Sequence, residues 1–449
     1  MVEGSNRADH LALDVHWTSK YKTLLLEDST TSPNTCIFRI PAPLKRQNRQ
    51  AYEPYFFSLG PWHFRQPHLM DAQKYKMNFL EQLVGRFPIS KDKIKELEEI
   101  ISEVLIEASE CYGGWGAINV ESREEFGKIL LLDGCFVIEM LRKSAGLIRL
   151  SEHDQPIFSN AMNSIWYHDL FLIENQIPWF VLERLYESIR VSEQDKPLVD
   201  IAIDAFFWIF SYDKFKLQIQ ADRIGREGIN HILDLAWHYL GWSSETECKD
   251  FRKNRHNIPS ASRLREAGVK FRRSVESRRI LDVRFNKTEG VLEIPSLLIH
   301  PTTETLFRNL ISYEQCYRFY PSKVTCYAKL LNGLVDTPED VDLLSRKDSF
   351  NNWLSPEDVS DFLNRLHNGT NMDCLYYARL CSDVRDYCKR WWPKWRAFYI
   401  HNYFTKPWAI ISQIFAITIL VLTILQVIPS WSSQSYMSFL SNNYLFPDA

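Results

Sequence analysis

The sequence is poor in glycine and lacks the short motifs that mark the common catalytic and nucleotide-binding sites. Only 16 of its 449 residues are glycine, and phosphate-binding loops need glycines because their backbone must approach the phosphate closely. We find no P-loop, dinucleotide glycine fingerprint, HExxH, CxxC, GxSxG or kinase signature. These absences exclude the familiar nucleotide-binding, zinc-protease and serine-hydrolase classes. We therefore predict no enzyme class, no cofactor and no metal.

The cysteines and the ends of the chain exclude a secreted disulfide framework. The nine cysteines are an odd number, and they lack the close, paired spacings of such frameworks, so they suit a reducing compartment. The N-terminus has no basic stretch followed by an apolar run, and so does not match a secretory signal peptide. The net charge is only −3. This argues against a general polyanion binder, and nucleic acid is not expected as a partner.

What is present is helical patterning in a chain that is 45% hydrophobic and 24% charged, a composition typical of packed globular proteins. Apolar residues recur at helical spacing from Lys91 to Tyr112, and Glu124–Leu141 is apolar nearly all round, as in a central helix. We expect a mainly α fold with one large helical body over residues 34–405, a mobile N-terminal leader over residues 1–33 and a short tail over residues 430–449.

Proline and hydroxyl residues predict where several elements begin or end. The helical pattern of Ile165–Leu185 should kink or restart near Ile177, because Pro178 disfavours the α conformation in the residue before it. Thr337-Pro338 and Ser355-Pro356 match helix starts, with a hydroxyl cap and proline in the first turn. The proline-rich stretch from residue 35 to residue 70 predicts an ordered, extended segment on the body.

A basic segment is followed by the clearest β pattern of the chain. Residues 249–279 have a net charge of +8, from eleven basic and three acidic residues. Plain solvated surface is the first interpretation, and contact with anionic lipid or an acidic partner is the alternative. Alternating apolar residues near 280–300, with a glycine-containing loop between two runs, predict a small β-hairpin. The candidate contacts to an anionic surface are Arg263, Arg265, Lys270, Arg272 and Arg273.

The stretch from residue 408 to residue 429 has no charged residue and is long enough as a helix to cross the roughly 30 Å of a bilayer's hydrocarbon core. We expect a single-pass transmembrane helix there, with the lipid bilayer as a partner. Basic residues precede it and no Lys or Arg follows it, which predicts a tail-anchored protein in the plasma membrane or an endomembrane, with its large domain in the cytosol. The residues that define this expectation are Trp408, Ile411, Phe415, Ile419, Leu422, Leu425 and Pro429.

Several carboxylates and amides lie inside apolar runs. Burying them requires hydrogen-bond partners, and two interpretations follow. They are structural, forming a polar network that satisfies freed backbone groups, or they form an unfamiliar helical active site. A structure separates the two: convergence on an open pocket favours an enzyme, and capping of broken helices favours structure. The members of this candidate network are Asp133, Glu174, Asn175, Gln176, Arg308, Glu314 and Gln315.

Taken in order, the motifs of the chain resemble the plant family called domain of unknown function 247. The similarity spans about residues 35–430. It departs from the family pattern at Trp62-His63, where the family has two histidines, and at Met70-Asp71, where it has Met-Glu. The matching stretches are CIFRIP (36–41), AYEP (51–54), SLGPWH (58–63), LDGCF (132–136), DL (169–170), LIENQIPWFVL (172–182), AGVKF (267–271), RNLI (308–311), YEQC (313–316), YF (403–404) and PW (407–408).

The resemblance implies a plant protein that usually has a C-terminal membrane span and has no established biochemical activity. Some grass members are linked to pollen-side self-incompatibility, which implies recognition rather than catalysis. We therefore expect a membrane-anchored interaction module that presents its surface to an unidentified protein partner. The alternative is an enzyme whose site is built from the buried carboxylates and amides.

Overall fold

A computed structural model describes residues 34–190, 195–206, 228–241, 257–274, 279–317, 320–366, 368–370, 376–389, 411–412 and 414–425. The predicted leader and tail, and parts of the basic segment (249–256 and 275–278), lie outside these residues. The helices are α1 Ala42–Lys45, α2 Ala72–Val84, α3 Ser90–Cys111, α4 Arg123–Ser144, α5 Asn160–Leu170, α6 Trp179–Ile189, α7 Leu198–Phe206, α8 Ile232–Gly241, α9 Ala261–Glu266, α10 Thr303–Cys316, α11 Lys323–Leu334, α12 Pro338–Ser345, α13 Pro356–Arg365 and α14 Ala378–Cys388.

The remaining elements are short. Three 3₁₀ turns lie at Arg49–Tyr52, Pro67–Leu69 and Trp115–Ala117, and the strands are β1 Lys270–Arg273, β2 Arg284–Asn286, β3 Val291–Ile294, β4 Leu297–Ile299 and β5 Phe350–Asn352. The expectation of a mainly α fold is confirmed for the described residues.

Helix α4 is the centre of the N-terminal half. Of the twelve positions from Asp133 to Ser144, where the helix ends, only Arg142 and Ser144 are not buried, as its nearly all-round apolar sequence predicts. Helices α2, α3, α6 and α7 pack around it. One continuous core of buried apolar side chains extends from Cys36 to Val384.

The predicted break before Pro178 is confirmed. Helix α5 ends at Leu170, and α6 begins at Trp179 with Pro178 as its N-cap. The residues between them are not helical yet are buried. Their backbone groups must find partners outside a helix ladder.

The predicted hairpin is confirmed as β2 and β3, which pair antiparallel with Phe285 opposite Leu292. The sequence did not indicate that β1 would pair parallel to β3 on its other side, nor that β4 and β5 would form a second, parallel pair. Because parallel strands are joined by long connections, no local turn signal in the sequence marks either of these two pairings.

The predicted transmembrane helix at 408–429 is wrong. Among the described residues, no helix combines the length and the apolar character that crossing a bilayer requires. Of the residues that defined the span, Trp408 and Pro429 lie outside the described part, and those within it are Ile411, Phe415, Ile419, Leu422 and Leu425.

Candidate functional site: a clamped strap and a basic corner

The strap, which we define as Cys36–His63, crosses the helical body without forming a strand. It contains only α1 and one 3₁₀ turn as regular structure. Much of it is buried, so its backbone groups need partners that a sheet does not supply. Side chains of α4, α5, α10 and the α5–α6 connection supply them.

Asp169 makes the densest of these contacts. Its carboxylate accepts backbone N–H groups from three successive strap residues, Tyr55 at 2.7 Å, Phe56 at 2.7 Å and Phe57 at 2.9 Å. Burial raises the pKa of Asp169 to about 7, and the three hydrogen bonds oppose that rise. The residue thus fixes one turn of the strap.

Asn175 and Asp133 hold the next turn. Asn175 accepts from the Leu59 N–H at 2.6 Å and donates to the Phe57 carbonyl at 3.1 Å. Asp133 accepts from the Gly60 N–H at 2.9 Å and pairs with Lys76, which is itself fully buried. Burial raises the pKa of Asp133, and the Lys76 ammonium opposes that rise.

Gly60 is required at the point where the strap meets α3. Its φ is +69°, and a Cβ there would lie 2.7 Å from the Tyr112 hydroxyl oxygen and 2.9 Å from the Gln176 carbonyl oxygen. The Tyr112 hydroxyl donates to that same carbonyl at 2.7 Å. A side chain would therefore be strained and would displace this bond.

Glu174 lies under the start of the strap. It accepts the Ile40 N–H at 2.7 Å, and its other oxygen lies 3.4 Å from Arg39, 3.7 Å from Lys45 and 3.6 Å from the His63 ring. Burial lowers the pKa of His63 to about 3, so its ring is neutral near pH 7. Two cations thus balance the buried carboxylate.

Gln176 bonds the α5–α6 connection itself. Its amide donates to the carbonyls of Leu170 and Leu172, at 2.7 and 2.8 Å, and accepts from the Leu233 N–H of α8 at 3.1 Å. The end of α5 and the start of α8 are joined through one side chain.

Helix α10 supplies the remaining contacts to the strap. We call the side chains that hold the strap the clamp: Asp133, Asp169, Glu174, Asn175 and Asn309. Asn309 donates to the Ala51 carbonyl at 2.7 Å and accepts from the Ile173 N–H at 3.0 Å. Arg308 pairs with Glu304 at 2.7 Å, and Glu304 also accepts from Asn48 of the strap at 2.9 Å. These contacts tie α10 to both the strap and the connection.

Glu314 and Gln315 lie apart from this group. Glu314 accepts the N–H groups of Val324 and Thr325 at the start of α11, at 2.7 and 2.8 Å, and the Trp237 indole N–H at 2.8 Å. Burial raises its pKa. Gln315 is the next residue and is half-buried.

The geometry of these groups has a chemical consequence. The carboxylates and amides of Asp133, Asp169, Glu174, Asn175, Gln176, Asn309 and Glu314 are each engaged with backbone N–H or C=O groups, so they are satisfied rather than poised toward a substrate. In the part of the chain that the structure describes, no three His, Cys, Asp or Glu side chains are grouped so that they could hold a metal ion.

A second polar region, the basic corner, comprises Arg263, Arg265, Lys270, Arg272 and Arg273 on α9 and β1. Arg263, Arg265 and Lys270 are exposed, and none of the three has an ion-pair partner among the described residues. Arg272 pairs with Glu293 of β3, and Arg273 is half-buried. The corner therefore presents three exposed cations that form no ion pair with the described residues.

Asp169 and Asn309 also hold the strap but were not predicted from the sequence. Both lie inside apolar runs, Tyr167–Ile173 and Leu306–Ile311, and this is the same signal that indicated burial of Asp133 and Glu174. The strap residues to which they bond are more than a hundred positions away. Sequence spacing could not reveal those partners.

Fold and site together define a mainly helical protein whose N-terminal strap is held by buried polar side chains. The chain matches the model of the DUF247 family, described as plant protein of unknown function, over residues 37–422. It therefore belongs to that family, and the resemblance inferred from its motifs is confirmed.

Two relatives in Arabidopsis thaliana extend over nearly the whole chain. One, named UPF0481 protein At3g47200, is 29% identical over 454 residues, which cover 94% of this chain and 90% of the relative. Another, named putative UPF0481 protein At3g02645, is 23% identical over 498 residues, with 90% of each covered. No solved structure matches the chain.

Proposed function

We propose that this protein is a recognition module whose basic corner contacts an acidic segment of a partner protein. The observation that carries the proposal is that Arg263, Arg265 and Lys270 are exposed and lack ion-pair partners among the described residues. Surface cations are commonly neutralised by neighbouring acids. Three that are not neutralised leave a local positive potential that favours an acidic partner.

The placement of these cations supports a binding role. Arg263 and Arg265 lie on α9, and Lys270 opens β1 five residues later, after a turn at Gly268 with φ +90°. Helix α9 is fixed from behind, because its Ser262 N–H donates to the buried Asp340 carboxylate at 2.7 Å. Cations on a rigid support lose less freedom on binding than cations on a free chain.

The buried polar groups count against the alternative, an enzyme with an unfamiliar helical site. Asp133, Glu174 and Asn175 accept backbone N–H groups of the strap, and Glu314 accepts those of α11. A catalytic acid or base must reach a substrate proton. These carboxylates instead meet buried backbone.

The proposal is tested with a fluorescently labelled oligoglutamate peptide and the full chain, by fluorescence anisotropy. We expect binding that weakens as salt is added, because exposed charge pairs are screened. The triple variant Arg263→Glu, Arg265→Glu, Lys270→Glu should raise the dissociation constant at least about tenfold.

A matched control reverses three exposed lysines elsewhere, Lys91→Glu, Lys95→Glu and Lys347→Glu, which likewise have no ion-pair partner in the described regions. Its affinity for the peptide should fall much less than that of the corner variant. Equal losses in the two triple variants would mean that net charge alone governs binding. That result would contradict a localised site.

Anionic phosphatidylserine vesicles provide the competing probe. Sedimentation with vesicles in the absence of peptide binding would assign the corner to a lipid surface and contradict a protein partner. If the peptide binds, proximity labelling in plant cells with wild type and the corner variant should identify the partner as a protein that is lost only from the variant.

A further inference from the structure

Two Asn-Gly pairs occur in the chain, Asn332-Gly333 and Asn368-Gly369. In such a pair the backbone nitrogen of the glycine can attack the side-chain carbonyl carbon of the asparagine, because glycine has no Cβ to crowd the approach. The attack requires a glycine N–H that is not held in a hydrogen bond, a side-chain amide that is free to turn, and a backbone that is not fixed in a helix. The two pairs differ in all three respects.

The pair Asn332-Gly333 is held inside α11. Gly333 lies within this helix, where backbone N–H groups belong to the helical ladder of hydrogen bonds. The Asn332 side-chain amide donates to the Asn364 side chain of α13 at 2.9 Å. A Cβ at Gly333 would lie 2.7 Å from the Ile258 side chain, so this side of the helix is closely packed. The fold therefore keeps this pair from reacting.

The pair Asn368-Gly369 lies in an exposed turn after α13. Gly369 has φ +68°, which is outside the helical region. Within the described regions, the Asn368 side chain makes no hydrogen bond and the Gly369 N–H has no acceptor. The turn is nevertheless anchored, because the backbone carbonyl of Asn368 accepts from the Gln47 side chain of the strap at 2.5 Å. The two groups that would react are thus both available.

We propose that Asn368 is a site of spontaneous deamidation that yields isoaspartate. The Gly369 nitrogen loses its proton and bonds to the side-chain carbonyl carbon of Asn368, and the side-chain nitrogen leaves as ammonia. Water then opens the resulting cyclic imide. Opening at the side-chain carbonyl gives aspartate, and opening at the backbone carbonyl gives isoaspartate. The product is of the class that isoaspartyl methyltransferases accept as substrate.

The reaction changes the contact between this turn and the strap. In isoaspartate the former backbone carbonyl of Asn368, which accepts from Gln47, is a free carboxylate. The main chain then runs through the former side chain and is longer by a carbon atom. The turn gains a negative charge where it meets the strap. This site is independent of the proposed contact at the basic corner.

The test is peptide mapping by mass spectrometry of the full chain after incubation at mildly alkaline pH, with an unincubated sample as the blank. Trypsin places the two pairs on separate peptides, Leu330–Arg346 and Leu366–Arg379. We expect Asn368 to deamidate at least about tenfold faster than Asn332, because Asn332 reacts only when α11 opens locally. In urea the two rates should converge, since the fold no longer protects Asn332. A persistent difference in urea would contradict protection by the fold.

Transfer of a labelled methyl group from S-adenosylmethionine by an isoaspartyl methyltransferase detects the isoaspartate itself. Asn368→Gln should lose most of the label that incubated wild type acquires, because its longer side chain would have to close a larger ring. The matched control, Asn332→Gln, should be labelled like wild type. The inference is overturned if Asn368 stays intact in the folded chain, if both pairs react equally fast there, or if Asn368→Gln is labelled as strongly as wild type.

Discussion

The strap and the basic corner use polar side chains in opposite ways. At the strap, carboxylates such as Asp169 and Asp133 are buried and accept backbone N–H groups. At the corner, Arg263 and Arg265 are exposed and have no ion-pair partner within the described chain. The first arrangement is rigid and specific to one segment of the same molecule. The second leaves charge available to another molecule.

This difference shows what a polar residue in an apolar run signifies here. Burial without a partner costs several kcal/mol, so each buried carboxylate of the strap region requires its donors to be in place. The buried amides of Asn175 and Gln176 likewise need partners, and they find them in backbone groups of the strap and of helix α5. An exposed cation has no such requirement, because water solvates it until a partner binds.

The largest effect that would test this difference is expected at Asp169. Replacement by alanine leaves three strap N–H groups without this acceptor, a buried one at Phe57 and two part-buried ones at Tyr55 and Phe56, and an unsatisfied buried group costs about 1–3 kcal/mol. We expect Asp169→Ala to lower the free energy of unfolding by about 4 kcal/mol or more in urea titrations followed by circular dichroism. Asp169→Asn should fall between this variant and wild type. The exposed Asp361→Ala should change stability by under about 0.5 kcal/mol.

If Asp169→Ala were as mild as Asp361→Ala, the carboxylate would not be holding the strap. The contrast with the exposed corner would then be lost, because burial alone would not separate the two kinds of polar residue.

Gly60 provides a smaller effect with an internal control. Gly60→Ala forces a side chain to positive φ and against the Tyr112 hydroxyl and the Gln176 carbonyl. Gly146, just after the end of α4, has φ +73° but nothing within 4 Å of the position of a Cβ, so Gly146→Ala has only the backbone strain of about 1 kcal/mol. We expect Gly60→Ala to lose roughly 2–3 kcal/mol in the same titration. Equal losses would mean that crowding at the strap is relieved by a small shift.

The pH dependence of stability tests the strap through His231. Its ring accepts the Asp234 N–H on Nδ1 at 3.1 Å, so the proton is on Nε2, which donates to the Cys36 carbonyl at 3.1 Å. Burial lowers the pKa of His231 to about 3. The unfolded state therefore binds the proton first as pH falls. The stability that neutral His231 contributes is present above pH 6.5 and is lost as pH falls toward 3.

We expect wild type to lose stability more steeply than His231→Gln between pH 6.5 and pH 4, by about 3 kcal/mol over that range. Burial raises the pKa of neighbouring Asp234 to about 7. Protonation of Asp234 therefore stabilises the folded state as pH falls, which is opposite in sign to the effect of His231. This contribution is present in both wild type and His231→Gln, so it cancels in the comparison. Parallel pH profiles would show that His231 does not titrate abnormally.

Local patterns predicted much of the fold. The helices Lys91–Tyr112 and Glu124–Leu141 are present with ends shifted by a few residues, because helical periodicity is a property of nearby residues. The starts at Thr337 and Ser355 are present for the same reason, and Thr337 forms a capping box with Asp340. Parallel pairing of β1 with β3 was not predictable, because nothing in Lys270–Arg273 alternates.

The clamp was only partly predictable. The apolar neighbours of Asp133 and Glu174 indicate burial, but their partners Gly60 and Ile40 lie 73 and 134 positions away. The expectation at 408–429 failed for a related reason. Apolar composition indicates where a chain avoids water, but by itself it does not establish a helix that crosses a bilayer, and none is found among the described residues.

The smallest effect on stability should come from substitutions at the basic corner, in contrast to those at the strap. Arg263 and Arg265 are exposed and make no ion pair with the described chain, so charge reversal breaks no ion pair among those residues. We expect Arg263→Glu, Arg265→Glu to change the free energy of unfolding by under about 0.5 kcal/mol, while affinity for an acidic peptide falls. A loss of more than about 2 kcal/mol would mean that these arginines, like the residues of the clamp, are needed for folding. The corner would then be a second structural region, and the proposed recognition surface would have to lie elsewhere.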